Sequence, residues 1–222
     1  MPQVDFRLYL ITDRHQCEPH GLLARIEAAL HGGVDAVQLR DKDLSTRERY
    51  EIGMKLREMT TKHGARLFIN NDAALARAIG ADGVHLPQDG LPADVCRTVL
   101  EPHMLIGVSA HSLPEAQDAE ARGADFITFG PVYHTPSKAR YGPPVGLNAL
   151  RETCTRLTLP VYALGGIKKT NTDEVISAGA AGIAMISAIL AADEPDRAAA
   201  EMKAAIRLAC PAHATGRKVD LK

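Results

Sequence analysis

Short apolar runs recur along this chain, and each ends in a polar cluster. Leu8-Tyr9-Leu10-Ile11-Thr12 gives way to Asp13-Arg14-His15, Val34 to Arg40 leads into Asp41-Lys42, and Leu67-Phe68-Ile69 stops at Asn70-Asn71-Asp72. Runs of this length, bounded by polar or turn-forming residues, predict buried strands. Longer segments between them carry helical signals. One helix is predicted from about His20 to Leu30, closed by His31-Gly32-Gly33. A second starts at Ser45, with Arg47-Glu48 behind it, runs through Ile52, Leu56 and Met59, and closes at His63-Gly64. Serine at the start and glycine at the end are the residues that cap orphan backbone groups. Pro195 to Leu208 reads as a last amphipathic helix, with Ala198, Met202, Ala205 and Ile206 on one side.

A repeat orders these elements. Gly33-Val34-Asp35-Ala36-Val37, Gly80-Ala81-Asp82-Gly83-Val84, Gly123-Ala124-Asp125-Phe126-Ile127 and Gly179-Ala180-Ala181-Gly182-Ile183 share one pattern: a glycine ends a helix, small or polar residues turn the chain, and a strand begins. Leu67–Ile69, Leu105–Ser109 and Val161–Leu164 supply the strands between successive copies. Counting from Leu8, strands and helices alternate eight times, which predicts an α/β fold with a parallel sheet closed as a single (β/α)8 barrel. The rival, an open doubly wound sheet, lacks the G-x-G-x-x-G expected after its first strand. The barrel is expected to occupy residues 1–208, followed by a mobile tail over 209–222 that has charge, proline and glycine but no periodicity.

Composition narrows the function classes. Lys+Arg number 26 against 27 Asp+Glu, so no global field draws nucleic acid or an anionic membrane surface, and any anion site must be local. Cys17, Cys96, Cys154 and Cys210 lie far apart without zinc-finger spacing, which points to a reduced compartment. No apolar segment has the length of a membrane span and no leader pattern opens the chain, so the expected location is cytoplasmic.

The chemistry gathers at strand ends, the face on which barrels build sites. In Val37-Gln38-Leu39-Arg40-Asp41-Lys42, alternation sets Gln38 and Arg40 on the face opposite Val37 and Leu39. An inward arginine needs an anion. The choice is between a bound substrate and an internal pair with Asp13, Asp41 or Asp72. After the sixth strand, Thr135, Ser137 and Lys138 bring together two hydroxyls and an ammonium suited to phosphate oxygens, or they simply form a polar loop. Gly165-Gly166 after strand seven and Met185-Ile186-Ser187 after strand eight occupy the usual barrel phosphate position, with tight-turn glycines as the plain alternative. Asn70-Asn71-Asp72 and His85 to Gly90, which includes Asp89, offer oxygen donors for a hard cation such as Mg²⁺, unless Asp72 merely caps the helix starting at Ala73. Two anion sites on one mouth imply a pair of phosphorylated small-molecule substrates.

Taken in order, Gln38-Leu39-Arg40-Asp41-Lys42, Ile69-Asn70-Asn71-Asp72, Gly80 to Leu86, Gly107-Val108-Ser109-Ala110-His111, Gly130-Pro131-Val132-Tyr133, Gly165-Gly166-Ile167 and Met185-Ile186-Ser187 resemble thiamine phosphate synthase over nearly all of residues 8 to 200. The resemblance implies a TIM barrel that couples a hydroxymethylpyrimidine diphosphate to a thiazole phosphate and releases pyrophosphate, with Mg²⁺ as cofactor. It also implies roles. Arg40, Lys42, Asn70, Ser109 and Lys138 hold the pyrophosphate, Gln38 places the pyrimidine, and Thr135, Ser137, Gly166, Ile186 and Ser187 engage the thiazole substrate.

Several positions depart from that pattern. The family's two metal-binding aspartates correspond to Asn71 and Gly90, and a glycine becomes Pro87, which leaves Asp72 and Asp89 one residue away as candidate ligands. A sister branch, the thiazole tautomerase, lacks the metal pair and has Leu-Pro where this chain has Leu86-Pro87, yet its catalytic histidine is Pro131 here. His134, three residues on, is the alternative acid/base or else a loop residue. A catalytically silent thiazole or thiamine phosphate binder is the remaining alternative.

Overall fold

The computed structural model describes residues 3–18, 20–135 and 143–210. Among them, eight parallel strands close into a barrel in chain order. These are β1 (Leu8–Ile11), β2 (Ala36–Leu39), β3 (Arg66–Asn70), β4 (Gly83–Leu86), β5 (Leu105–Ala110), β6 (Phe126–Phe129), β7 (Val161–Leu164) and β8 (Gly182–Met185). Leu10 closes the ring by pairing with Val37 on one side and Met185 on the other. The helices are α1 (Leu22–His31), α2 (Thr46–His63), α3 (Ala73–Ile79), α4 (Ala93–Arg97), α5 (Leu113–Ala121), α6 (Gly146–Arg156), α7 (Thr172–Ser177), α8 (Ser187–Leu190) and α9 (Pro195–Ala209).

Local chemistry accounts for where elements begin and end. Ser45 and Glu48 form a capping box at the start of α2, and Gly64, at φ 66°, ends it in the left-handed conformation. The repeated aspartates have a specific task. Asp35 accepts the N–H of Leu8 at 2.9 Å, Asp82 that of Leu67 at 2.8 Å, and Asp125 that of Ile106 at 2.6 Å. Each ties the start of an even-numbered strand to its odd-numbered neighbour, and Ala181 in the fourth copy cannot do so.

The stripe expected on α9 is displaced by part of a turn. Pro195, Ala199, Met202 and Ile206 are buried, whereas Ala198 and Ala205 are half-buried. Close approach at Gly32 is the cause, since a Cβ there would lie 2.1 Å from the Asp196 carbonyl and 2.8 Å from Ala199 Cβ. The helix continues to Ala209 and is followed by Cys210; the remainder of the expected tail lies outside the described residues.

Outward strand residues such as Leu10, Val37 and Ile69 pack beneath the helices. The barrel interior is aromatic instead, with Tyr9, Phe68, Phe126 and Tyr162 ringed above Phe6. Phe6 stacks on Tyr162 at 4.7 Å and meets Phe126 edge-on at 5.2 Å, so it plugs the N-terminal end. Glycine makes the room: a Cβ on Gly107 would sit 2.3 Å from Phe126 Cζ and 2.6 Å from His85 Nδ1. With the lower half filled by rings, polar side chains occupy the C-terminal half.

Candidate active site

The floor of the C-terminal mouth is a buried polar chain. Gln38 donates from Nε2 to the Tyr9 hydroxyl at 2.9 Å, and that hydroxyl lies 3.3 Å from His85 Nδ1. His85 Nε2 is 3.0 Å from Ser109 Oγ and 3.2 Å from Thr128 Oγ1, and Thr128 donates to Ser109 at 3.4 Å. Gln38, Tyr9, His85 and Thr128 are all buried, whereas Ser109 is half-open to the mouth. Burial, helped by the positive charge of Arg40, pushes His85 down to about 3, so the ring is neutral at physiological pH.

Arg40 leaves β2 at the rim, half-buried, and its guanidinium makes no ion pair with any described residue. The internal-pair alternative fails at each carboxylate it named. Asp13 accepts from the His15 N–H and Gln16 Nε2, Asp41 from Thr12 Oγ1 and the Arg14 N–H, and Asp72 from the Leu75 N–H and Arg49 Nη2. Asp43, which neutralises Arg14, is likewise occupied. Lys42 is exposed and has no acidic partner among the described residues. Asn70 ends β3 beside His85 in register, and its amide makes no hydrogen bond with a described residue. Two cations and two neutral donors, Asn70 and Ser109, thus belong to the C-terminal ends of β2, β3 and β5 on one side of the mouth.

Opposite them, the loops after β6 and β7 are zipped together. Val132 N–H donates to Leu164 O at 2.9 Å and Tyr133 N–H to Gly165 O at 3.1 Å, which carries the β6 loop alongside β7. Gly166, at φ 67°, is held so close that a Cβ would lie 2.6 Å from Tyr133 Cβ and 2.8 Å from His134 O. No other residue type fits there without displacing the backbone. Thr135 therefore follows directly on the segment that packs against Gly166. Ile186 and Ser187 sit where β8 passes into α8, with Ser187 exposed. Ser137 and Lys138 lie outside the described residues. His134 is exposed, while His111 donates through Nδ1 to the Gly130 carbonyl at 2.5 Å.

Comparison with known proteins shows the family. Residues 8–189 match the family model for thiamine monophosphate synthase. The chain belongs to the thiamine monophosphate synthase family. A Geobacter sulfurreducens protein, named provisionally as a thiamine-phosphate synthase, is 55% identical over 88% of this chain and 92% of its own. The thiamine-phosphate synthase of Archaeoglobus fulgidus is 44% identical over 90% of this chain and 93% of its own. The solved thiamine phosphate pyrophosphorylase from Pyrococcus furiosus superposes with a TM-score of 0.84 at 38% identity, covering 93% of this chain and 98% of that one.

The metal positions implied by the resemblance are Asn71 and Gly90. A Cβ on Gly90 would be 3.0 Å from Asn71 Oδ1, so the two substituted positions face each other in space. Asn71 is exposed in a left-handed turn, at φ 51°. Asp72 uses both oxygens on the α3 cap and Arg49, and Asp89 is exposed. Among the described residues, no three His, Cys, Asp or Glu side chains are grouped so that they could hold a metal ion. This donor set does not fit a paired-carboxylate Mg²⁺ clamp.

Sequence reasoning did not single out Tyr9, Thr12 or Thr128, and named Asp41 only as a candidate partner of Arg40. Period-two alternation marks Tyr9 and Thr128 as sharing strand faces with other residues, but the register that brings both to His85 is a property of the closed sheet.

Proposed function

We propose that this enzyme joins 4-amino-5-hydroxymethyl-2-methylpyrimidine diphosphate to 4-methyl-5-(2-phosphooxyethyl)thiazole, giving thiamine phosphate and pyrophosphate. The bond from the exocyclic methylene carbon to the diphosphate oxygen breaks first, with both electrons leaving on oxygen. The thiazole nitrogen then donates its lone pair to the cationic carbon. Such a reaction asks for alignment and for stabilisation of the departing charge, with no protein nucleophile. The observation that carries this reading is the Arg40 guanidinium, which makes no ion pair among the described residues, next to Lys42 and on the same rim as Ser109, with Asp13, Asp41 and Asp72 each engaged elsewhere.

Arg40, Lys42, Asn70, Ser109 and Lys138 hold the diphosphate, and Gln38 places the pyrimidine. Thr135, Ser137, Gly166, Ile186 and Ser187 hold the thiazole phosphate. Because Asn71 and Gly90 offer no carboxylate, the protein's own cations take the main share of leaving-group stabilisation, and Mg²⁺ has at most Asn71 and Asp89 to meet it. The four cysteines are free, in keeping with a reducing cytoplasm. No helix among the described residues is long and apolar enough to cross a membrane.

The test supplies both substrates to purified protein, with and without Mg²⁺, and separately supplies the thiazole carboxylate tautomer. Coupling without isomerisation supports the proposal. Isomerisation alone selects the tautomerase alternative, and binding without either reaction selects the silent binder.

A further inference from the structure

We propose that Tyr9 and His85 are positioning residues that fix hydrogen-bond polarity at both ends of the pyrimidine substrate, holding Gln38 as an acceptor and Ser109 as a donor. This rests on the substrate assignment above and adds residues that do not touch the substrate themselves.

Counting donors and acceptors gives the polarity. Gln38 donates its amide N–H to Tyr9 O at 2.9 Å, which leaves its carbonyl Oε1 without a described partner. The Tyr9 hydroxyl has one hydrogen, and His85 Nδ1 at 3.3 Å is its remaining neighbour, so Nδ1 must accept. Nε2 of the neutral ring then carries the proton and faces Ser109 Oγ at 3.0 Å. Ser109 also accepts from Thr128 at 3.4 Å. A hydroxyl has two lone pairs and one hydrogen; with both pairs taken, the Ser109 hydrogen must point elsewhere, and its half-open side is the mouth.

The two free ends match the two ends of the substrate. A carbonyl oxygen at Gln38 suits the exocyclic amine of the pyrimidine, and an O–H at Ser109 suits an oxygen of the departing diphosphate, whose negative charge grows as the bond breaks. The opposite polarity, with Nδ1 protonated, would turn the Gln38 amide N–H₂ toward the amine and make Ser109 donate to His85 instead of to the anion. Both ends would then be wrong together. His85 is 2% exposed and Tyr9 0%, so water does not reorient the chain, and the depressed basicity of His85 keeps it from becoming a donor at both nitrogens.

Tyr9→Phe is the discriminating variant, because it removes one hydroxyl and keeps the ring that packs against Phe6, Phe68 and Phe126. The relay predicts a kcat for coupling lowered about tenfold, the worth of one hydrogen bond. It also predicts that the same substitution lowers kcat by a clearly smaller factor in a Ser109→Ala background, where only the Gln38 end is left to be misoriented. A purely structural role would lower kcat equally in both backgrounds, which would overturn the relay. Independently, ¹⁵N spectra of the wild-type protein should show His85 protonated at Nε2 and bare at Nδ1, with this asymmetry reduced in Tyr9→Phe. A protonated Nδ1 would overturn it as well. If wild-type protein fails to couple the substrates, the functional assignment falls, while the ¹⁵N spectrum still decides the polarity of the chain.

Discussion

Thr12 Oγ1 donates to Asp41 Oδ2 at 2.6 Å and in turn accepts the backbone N–H of Arg40 at 2.8 Å. One hydroxyl at the end of β1 therefore holds a buried carboxylate and the backbone of the rim arginine in fixed relation. Asp41 is 3% exposed and gains its other charge-assisted bond from the Arg14 N–H at 2.8 Å.

Thr12→Val, of equal shape but without the hydroxyl, is expected to destabilise the fold by about 2–3 kcal/mol, because it leaves a buried carboxylate short of a donor. Urea unfolding measures this. Coupling activity should fall further than stability explains, since the Arg40 backbone loses its anchor. Unchanged kcat/KM in folded Thr12→Val would remove Thr12 from the positioning of Arg40.

Arg40→Ala should lower kcat for coupling by about 100- to 1,000-fold, the usual effect of deleting a group that stabilises developing negative charge. Thiazole phosphate binding, followed by calorimetry, should be unchanged. Ser187→Ala should do the reverse, weakening thiazole phosphate binding with a small effect on pyrimidine diphosphate. Equal loss of both ligands in either variant contradicts two separate anion sites.

Asp72 separates capping from metal binding. Asp72→Asn keeps a good N-cap and Asp72→Ala does not, so only the alanine variant should lose about 1 kcal/mol or more of stability. Neither should alter the Mg²⁺ dependence of coupling. Asn71→Asp should instead tighten binding of Mg²⁺ alone, read by calorimetry, because it returns one carboxylate opposite Gly90. A metal response that follows Asp72 would assign the ligand to the cap residue.

The neutral His85 makes acid destabilising. Its basicity in the folded state, pushed down to about 3, lies below that of an unfolded histidine, about 6.5. Between these values the unfolded chain binds the extra proton, so stability rises with pH across the window and is complete above about 6.5. On acidification it should fall by up to about 1.4 kcal/mol per pH unit from this group. His85→Gln should flatten that part of the profile in denaturation series from pH 7 to 4. An unchanged slope would show that His85 is not the group responsible.

Much of the barrel could be read from local pattern. The capping box at Ser45 and Glu48, the glycine after His63 and the strand at Val161–Leu164 are set by neighbours within a few residues, and they stand as expected. The four-copy repeat gave the strand count. The α9 stripe was misjudged because the side of a helix that is buried depends on its partner, and here close packing at Gly32 turns the helix toward Ala199.

The site divides along the same line. Residue types and their places at strand ends named Gln38, Arg40, Asn70 and Ser109 as candidates, since alternation along a strand is a property of the chain itself. Which aspartate neutralises which arginine was undecidable there: Asp13, Asp41 and Asp72 were equal candidates for Arg40 until closure of the barrel gave each a different partner. The chain of bonds from Gln38 to Ser109 joins strands β1, β2, β4 and β5, so it exists only in register. Sequence by itself determined the elements and the chemical inventory of the mouth, because both follow from local propensity and period. Tertiary structure alone decided which charges stay free to meet a substrate, because pairing and desolvation depend on residues far apart in the chain.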